Sequence, residues 1–512
     1  MGRGVPEPAG GSVVAAGGGV VAVPDGGAAA EDTEVDTRRS GWERALALLV
    51  AGMSALAASS PISDNSLLTH IATGRLQVAS GLPQLNPFLV TSTDFPVPSW
   101  WWSWVLGWSE RIAGLGAVRF LTAVVAGVLG WLVVRCSRPH DEPLVPAVNP
   151  LVQALPAGVV FVLLTPTLNA RPGLVGYALL ALALVIWRER LSPLLAVPLF
   201  AVWVNVHGSW LYGAAVLGIL WVAEAIDDHA PHLERFRYGA AAVGGLIVGG
   251  LFYPERFRLV LLPTEQLGSA TAREAISQYQ EWRPASFGQP LVWIFALVAI
   301  LALYGVLAVR RDGRIRWGSV TAVVMLSAMG ASALRLLPIA AISLCGFAAM
   351  GISQVSSMRA SAVTLRRAVA GLGVVLLALA AVMALLGPHT DLERYPVEEV
   401  DWLQERSLVA DPEVRLIEND FVGNYLEFRF GAEANAWVDD RPSVQTLLDY
   451  VTMRATDPGW QEALERADPD VVLWKREGPF MDALLEDPSW SVALTTEDFR
   501  VLCHARIAER CR

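Results

Sequence analysis

Lysine is nearly missing from this chain: of 39 basic residues among 512, only Lys475 is a lysine, a usage that reflects a GC-rich coding sequence more than a chemical requirement. Charge of either sign is scarce too. Asp, Glu, Lys and Arg make up 17% of the residues and hydrophobic types 54%, where soluble domains average roughly 25% charged, so the composition points to a membrane protein and excludes an ordinary soluble fold. Four cysteines are too few for a disulfide framework, and their spacing fits no zinc site. No P-loop and no glycine-rich Rossmann turn follows a strand-like run, which excludes a cytoplasmic nucleotide-driven enzyme. The apolar runs hold few charges and no clear repeat, which argues against an ion-coupled transporter. No basic n-region, short apolar core and cleavage site mark the start, so the N-terminal segment is expected to stay attached.

What is present divides the chain in three. Residues 1–40 are Gly, Ala and Val with scattered acids and no helical periodicity, the composition of a disordered cytoplasmic tail. Residues 41–387 carry apolar runs near 43–60, 114–135, 151–168, 173–187, 192–206, 209–226, 239–253, 291–309, 318–334, 337–353 and 368–387, several of them at the lower limit of the roughly 17 to 25 residues that cross a bilayer. The expected architecture is therefore mainly α, a polytopic membrane protein of about 11 transmembrane helices. Residues 388–512 hold 27 acids and 13 bases, a net −14 against +4 for the remainder. This acidic part reads as a separate α/β domain with a largely parallel sheet, its strands expected at VRLIEND, NAWVDD and VVLWK. No basic patch with interleaved aromatics appears there, so nucleic acid is not an expected partner.

Arginines Arg38, Arg39 and Arg44 place the N-terminus in the cytoplasm, and every inner loop is then arginine-rich: Arg135 and Arg138, Arg188 and Arg190, Arg235 and Arg237, Arg310 to Arg316, Arg359 to Arg367. An odd number of spans puts the acidic domain outside the cell membrane. The same topology gathers on the outer side the polar residues that sit oddly at the ends of apolar runs: Asp64 and His70, Asn169 and Arg171, Asn205 and His207, Glu281 and Trp282, and Arg335. Ionisable groups at membrane depth are costly, so such a gathering marks a pathway or a site.

Each residue has a plain reading beside a chemical one. Asp64 is placed to cap the helix SLLTHIATG, or to act as general base on an acceptor hydroxyl while His70 binds or protonates a phosphate leaving group; the two roles are compatible. Arg171 and Arg335 offer forked donors to phosphate, although an arginine between two apolar runs also snorkels. Asn205 and His207, in the run Asn205-Val206-His207-Gly208, either meet a lipid head group or satisfy a helix end. Glu281 and Trp282 belong to the outer loop 254–290 with Glu265 and Glu274, where solvated charge and an interfacial aromatic are the default. The tryptophans at 100, 101, 102, 104 and 108 end the first outer loop, 61–113, and are expected to anchor it at head-group depth. Cys503 and Cys511 lie outside, where a disulfide can form.

These motifs, in this order, resemble a large bacterial family of multi-spanning membrane proteins with a GT-C glycosyltransferase-like architecture, whose first outer loop reads D-x-D-x-W-W-H-I-x-T-G and then P-x-x-D-P-F. Asp64, His70, Ile71, Thr73, Gly74, Pro83, Pro87 and Phe88 match it, as do Arg171-Pro172, Asn205-x-His207-Gly208, Glu281-Trp282, Arg335-x-x-Pro338, Gly423-x-Tyr425-Leu426 and Asp439-x-Arg441. Ser66 stands where a second acid is usual, Leu68 and Thr69 replace paired tryptophans, and Asn86 replaces an aspartate. The resemblance implies transfer of a sugar from a polyprenyl-phosphate donor to a glycan, lipid or protein acceptor outside the cytoplasm. It implies Asp64 and His70 as catalytic, Arg171, Asn205, His207 and Arg335 around the donor phosphate, and Glu281 and Trp282 on the acceptor side. The lost acids leave a divalent cation unassigned and open two alternatives: a catalytically degenerate lipid-glycan-binding or envelope-assembly protein, and a lipid or glycan translocator.

Overall fold

The helix α1, Gly26–Ala58, begins upstream of the first apolar run, in a stretch whose alanines favour helix. Residues 26–40, expected to lack structure, are thus helical. The computed structural model describes residues 26–90, 97–138, 150–229, 233–262, 277, 280–309, 313–355, 363–409, 411–441 and 443–512. Residues 1–25 of the expected tail, and Glu265 and Glu274, lie outside them. After α1 come α2 (Asn65–Ser80), α3 (Trp100–Cys136), α4 (Pro150–Leu164), α5 (Pro172–Arg188), α6 (Ala196–Val206), α7 (Trp210–Asp227) and α8 (Leu233–Phe252). Next are α9 (Pro290–Ala308), α10 (Trp317–Ser332), α11 (Leu337–Val355) and α12 (Val363–Leu386).

Among the described residues, six segments are long and apolar enough to cross a membrane: Gly41–Ala58, Trp100–Cys136, Trp210–Asp227, Pro290–Ala308, Leu334–Gln354 and Val363–Leu386. Others, α5 and α10 among them, are shorter apolar helices. At about 1.5 Å per residue, the 17 residues of α5 reach roughly 25 Å, less than the roughly 30 Å of a hydrocarbon layer. The eleven expected spans thus become six full-length candidates with shorter helices packed among them. Helix α11 is the buried centre, with Ala340, Ala341, Leu344, Cys345 and Ala349 wholly enclosed.

Helix α3 is two helices joined by a turn. Ala113 and Gly114 leave helical geometry, and Gly114 sits at φ 68, a left-handed conformation that glycine adopts without steric cost. The tryptophan cluster is therefore the first of these helices and not the end of a loop. Five residues beyond the turn, the buried Arg119 donates to the carbonyls of Ser60 (3.2 Å), Ala384 (3.1 Å) and Gly387 (3.0 Å), and to Ser59. It thereby satisfies carbonyls that the ends of α1 and α12 leave without intrahelical partners.

At the opposite end of the bundle, the arginines that suggested an inner surface are paired. Arg138 meets Glu43 at 2.9 Å and Arg135 meets Glu189 at 2.5 Å. Arg235 meets Glu224 at 2.9 Å, and Arg316 meets Asp227 at 3.1 Å.

The acidic C-terminal domain comprises α13 (Val397–Glu405), β1 (Leu416–Glu418), α14 (Asp420–Phe430), α15 (Val444–Ala455), α16 (Trp460–Ala467), β2 (Val471–Lys475), α17 (Pro479–Glu486), β3 (Trp490–Thr495) and β4 (Phe499–His504). Its sheet has the order β1-β2-β4-β3. Only β1 and β2 run parallel, in register Leu416 with Val471; β4 is antiparallel to both of its neighbours. The expected largely parallel sheet is therefore mixed, because the last two strands form a hairpin. Cys503 at the end of β4 is disulfide-bonded to Cys511.

The segment NAWVDD is no strand. Its buried backbone is held from the side: Glu418 Oε1 accepts from Trp437 N at 2.8 Å and from Val438 N at 3.1 Å. Leu89 and Ala436 pair as an isolated parallel bridge, tying the connection between α2 and α3 to this segment.

Candidate functional site

Helix α2 is the element on which the site is assembled. It starts with an N-cap, Asp64 Oδ1 accepting from Leu67 N at 3.1 Å, and it lies between α3 and the C-terminal domain. On the side facing α3, Gly74 and Gly107 touch: a Cβ on Gly74 would stand 2.1 Å from Ser103 O, and one on Gly107 2.3 Å from Gly74 O. Only glycine allows that separation, which brings His70 Nδ1 to 2.9 Å from Ser103 Oγ. Ser66, Thr69 and Thr73 follow helical spacing toward the C-terminal domain. Thr69 Oγ1 donates to Asn424 Oδ1 at 2.8 Å, Arg441 Nη1 donates to Thr73 Oγ1 at 2.9 Å, and the Ser66 hydroxyl faces the carboxyl of Asp440.

Asp64 does more than cap. Its Oδ1 also accepts from Arg171 Nε at 2.7 Å, and its Oδ2 from Asn169 Nδ2 at 3.2 Å. Arg171 stands immediately before α5, whose Pro172 begins the helix. Its Nη1 reaches Glu281 Oε2 at 4.0 Å, and Glu281 Oε1 accepts from Arg335 Nη1 at 3.1 Å. The Arg335 guanidinium lies over the ring of Trp282, 4.3 Å from its centroid, an arrangement attractive to a cation. Asp64, Glu281, Arg171 and Arg335 thus form one alternating chain of charge, drawn from four separated segments.

His207 caps α6 and turns its ring toward the first turns of α5, where Gly176 and Gly173 leave room: a Cβ on Gly176 would be 3.0 Å from Nδ1 and one on Gly173 3.9 Å from Nε2. Its Nδ1 accepts from Ser209 N at 3.2 Å, which places the proton on Nε2. Burial lowers His207 to about 3, helped by the nearby Arg335. Burial likewise takes His70 down to about 3, reinforced by Arg441, Arg171 and His207. Both rings are therefore neutral at physiological pH. Neutral imidazole donates one hydrogen bond but holds no transferable extra proton.

Two expectations change. Asn205 is fully buried with its amide already used: Nδ2 donates to Ala201 O at 2.8 Å and Gly249 O at 2.9 Å, and Oδ1 accepts from Trp100 Nε1 at 2.8 Å. It holds the tryptophan helix and α8 behind His207, with no donor left for a phosphate. The tryptophans also divide. Trp102 is buried and donates to Ala170 O at 2.6 Å, beside Arg171, whereas Trp104 and Trp108 are exposed.

Two residues in the cluster carry no sequence signal of their own. Ser103 partners His70. Asp440 follows Asp439, and its Oδ1 is shut off from solvent without a hydrogen-bond partner. Burial raises its carboxyl above the usual carboxylate range, with Asp439 adding to that and Arg441, Ser66 and Arg171 opposing it. Arg441 itself joins Glu427 at 2.8 Å and Asp439 at 3.1 Å. Among the described residues, no group of three or more His, Cys, Asp or Glu is arranged to hold a metal ion.

No family model matches the chain, and no curated protein matches it. Nine chains of solved structures are similar. One is the archaeal oligosaccharyltransferase AglB from Archaeoglobus fulgidus, in complex with an inhibitory peptide and a dolichol-phosphate; the TM-score is 0.48 at 9% identity, covering 84% of this chain and 69% of that one.

Proposed function

We propose that the protein is an integral-membrane glycosyltransferase that moves a sugar from a polyprenyl-phosphate-linked donor to an acceptor on the extracytoplasmic side. The observation that carries this reading is the meeting of Asp64 with Arg171 at 2.7 Å, in a cluster with Arg335 and two neutral histidines that lies between apolar helices and a polar domain. The ordered motifs of the sequence support the same reaction class. Donor lipid lies along the apolar helices, its phosphate faces Arg171 and Arg335, and the acceptor enters under the C-terminal domain past Glu281 and Trp282.

In the transfer, the acceptor hydroxyl oxygen bonds to the anomeric carbon while its proton passes to the Asp64 carboxylate. The bond from sugar to phosphate breaks, and its electron pair stays on the phosphate oxygen. Arg171 and Arg335 stabilise that charge, and His70 and His207 donate hydrogen bonds without transferring protons. Three donors, Leu67 N, Arg171 Nε and Asn169 Nδ2, already converge on the Asp64 carboxylate. That set of partners favours a second reading, a protein that binds lipid-linked glycans without transfer.

Envelope glycans of a deletion strain complemented with wild type or with Asp64→Asn distinguish the two. Transfer predicts loss of a glycan in the deletion that wild type restores and Asp64→Asn does not. Full restoration by Asp64→Asn overturns the enzymatic reading.

A further inference from the structure

The two arginines assigned to donor phosphate are not vacant. Arg171 precedes α5, Arg335 lies between α10 and α11, and a single carboxylate, that of Glu281, spans them at 4.0 and 3.1 Å. Asp64 occupies the Nε side of Arg171, so the Nη1 side is the part that Glu281 faces. A carboxylate and a phosphate present similar forked oxygens to guanidinium groups. Glu281 therefore stands where the geometry of its own neighbours best suits a phosphate.

The segment bearing Glu281 is fixed while its side chain is not. Leu334 N donates to Arg283 O at 3.0 Å, and Ala285 N donates to Ala331 O at 3.0 Å. These bonds pin the backbone of residues 283–285 to the α10–α11 junction, and Trp282 lies under Arg335. The Glu281 side chain, by contrast, is 48% exposed and among the described residues makes no hydrogen bond but the one to Arg335. Rotation about its side-chain bonds vacates the position without moving the backbone.

We infer that the space between Arg171 and Arg335 is the subsite for the phosphate of a lipid phosphate, and that Glu281 is its resident carboxylate, displaced when that phosphate binds. This rests on the lipid-phosphate reading above and adds competition to it. Glu281 keeps two cations from facing each other in the empty state. It also sets a threshold: an anion must outcompete a tethered carboxylate. A lipid phosphate, which gains apolar contact along the helices as well, clears that threshold; free inorganic phosphate does not.

The test is titration of the detergent-purified full chain with farnesyl phosphate and, separately, with inorganic phosphate, for wild type, Glu281→Gln, Arg335→Ala and Arg171→Ala. The expected result is farnesyl phosphate binding about tenfold tighter in Glu281→Gln and at least tenfold weaker in Arg335→Ala, a tenfold step being about 1.4 kcal/mol. Inorganic phosphate is expected to bind measurably to Glu281→Gln only. Unchanged or weaker lipid-phosphate binding by Glu281→Gln, with Arg335→Ala still impaired, overturns the displacement and leaves the phosphate site standing. Equal binding of inorganic and farnesyl phosphate by wild type also overturns the displacement. Lipid-phosphate binding unaffected by Arg335→Ala and by Arg171→Ala overturns the donor site itself.

Discussion

Asn424 Oδ1 receives the hydroxyl of Thr69 at 2.8 Å, a fully buried hydrogen bond between residues 355 positions apart. The same oxygen accepts from Asp440 N at 3.1 Å, so one amide joins α2 to the segment that carries Asp439, Asp440 and Arg441. Asn424→Ala strands two donors, at roughly 1–3 kcal/mol each. The expected outcome is a lower melting temperature in detergent and a C-terminal domain more readily cleaved by protease; an unchanged melting temperature contradicts it.

Arg171→Lys retains charge and loses the fork. Arg171 Nε and Nη1 serve Asp64 and Glu281 at the same time, and one ammonium does not span both with the same geometry. Glycan restoration in the complemented deletion strain is expected to fall about 10-fold or more, the scale of losing a single charge-assisted contact near 1.4 kcal/mol. Full restoration means that the fork is not used.

Glycines at the α2–α3 contact permit a sharp comparison. Gly74→Ala places a methyl 2.1 Å from Ser103 O, while Gly158→Ala on α4 meets nothing within 4 Å. Gly74→Ala is expected to separate the helices, break the contact of His70 with Ser103 and reduce folded yield. Gly158→Ala is expected to be neutral or stabilising by up to about 1 kcal/mol. Equal yields and melting temperatures count against close packing as the reason for Gly74.

The histidines predict acid sensitivity. Their folded values, about 3 for both His70 and His207, lie below the ordinary 6.5. Between these values the unfolded chain binds protons that the folded one refuses, so stability is full above about pH 6.5 and falls as pH drops through the window. Melting temperature is expected to decline from pH 7 to pH 5, and less steeply in His70→Gln. Parallel slopes for the two proteins count against a neutral, buried His70.

Glu418 has the opposite sign. Burial pushes its carboxyl up to about 8, against the hydrogen bonds from Val438 and Trp437. From about pH 4.5 to 8 the folded protein holds a proton that the unfolded chain has released, so the Glu418 contribution to stability declines as pH rises through that window, opposing the histidine contribution where the two overlap. Glu418→Gln keeps the amide-accepting oxygen and is expected to flatten the decline. Glu418→Ala strands two backbone donors and is expected to destabilise at every pH, by about 1–3 kcal/mol per donor.

Much of the site could be read along the chain because its members sit where apolar runs end. Arg171 and His207 are such residues, and the structure brings both to the Asp64 cluster. Asp440 could not be found that way: it matters through Ser66, 374 positions earlier, and through a fold that depends on Glu418 holding NAWVDD as an irregular turn. The short apolar run Ala436-Trp437-Val438 imitates a strand there, whereas the buried backbone is satisfied by side chains. Asn205 shows the reverse error. Beside His207 it looks like a ligand, yet contacts with Gly249 and Trp100 consume its amide. The parallel sheet failed for a simpler reason, since the expectation rested on VRLIEND, NAWVDD and VVLWK and left out the hairpin of β3 and β4.

Helix α2 belongs to the membrane portion by sequence, but its two sides belong to different partners. Gly74 admits no gap toward α3, and Ser66, Thr69 and Thr73 contact the C-terminal domain. The site is consequently a joint and not a hollow inside either part. An exchange of the C-terminal domain would have to carry positions 66, 69 and 73 along with it. The fit between the two parts is therefore written partly in the helical half, in three small polar residues on about two turns of helix.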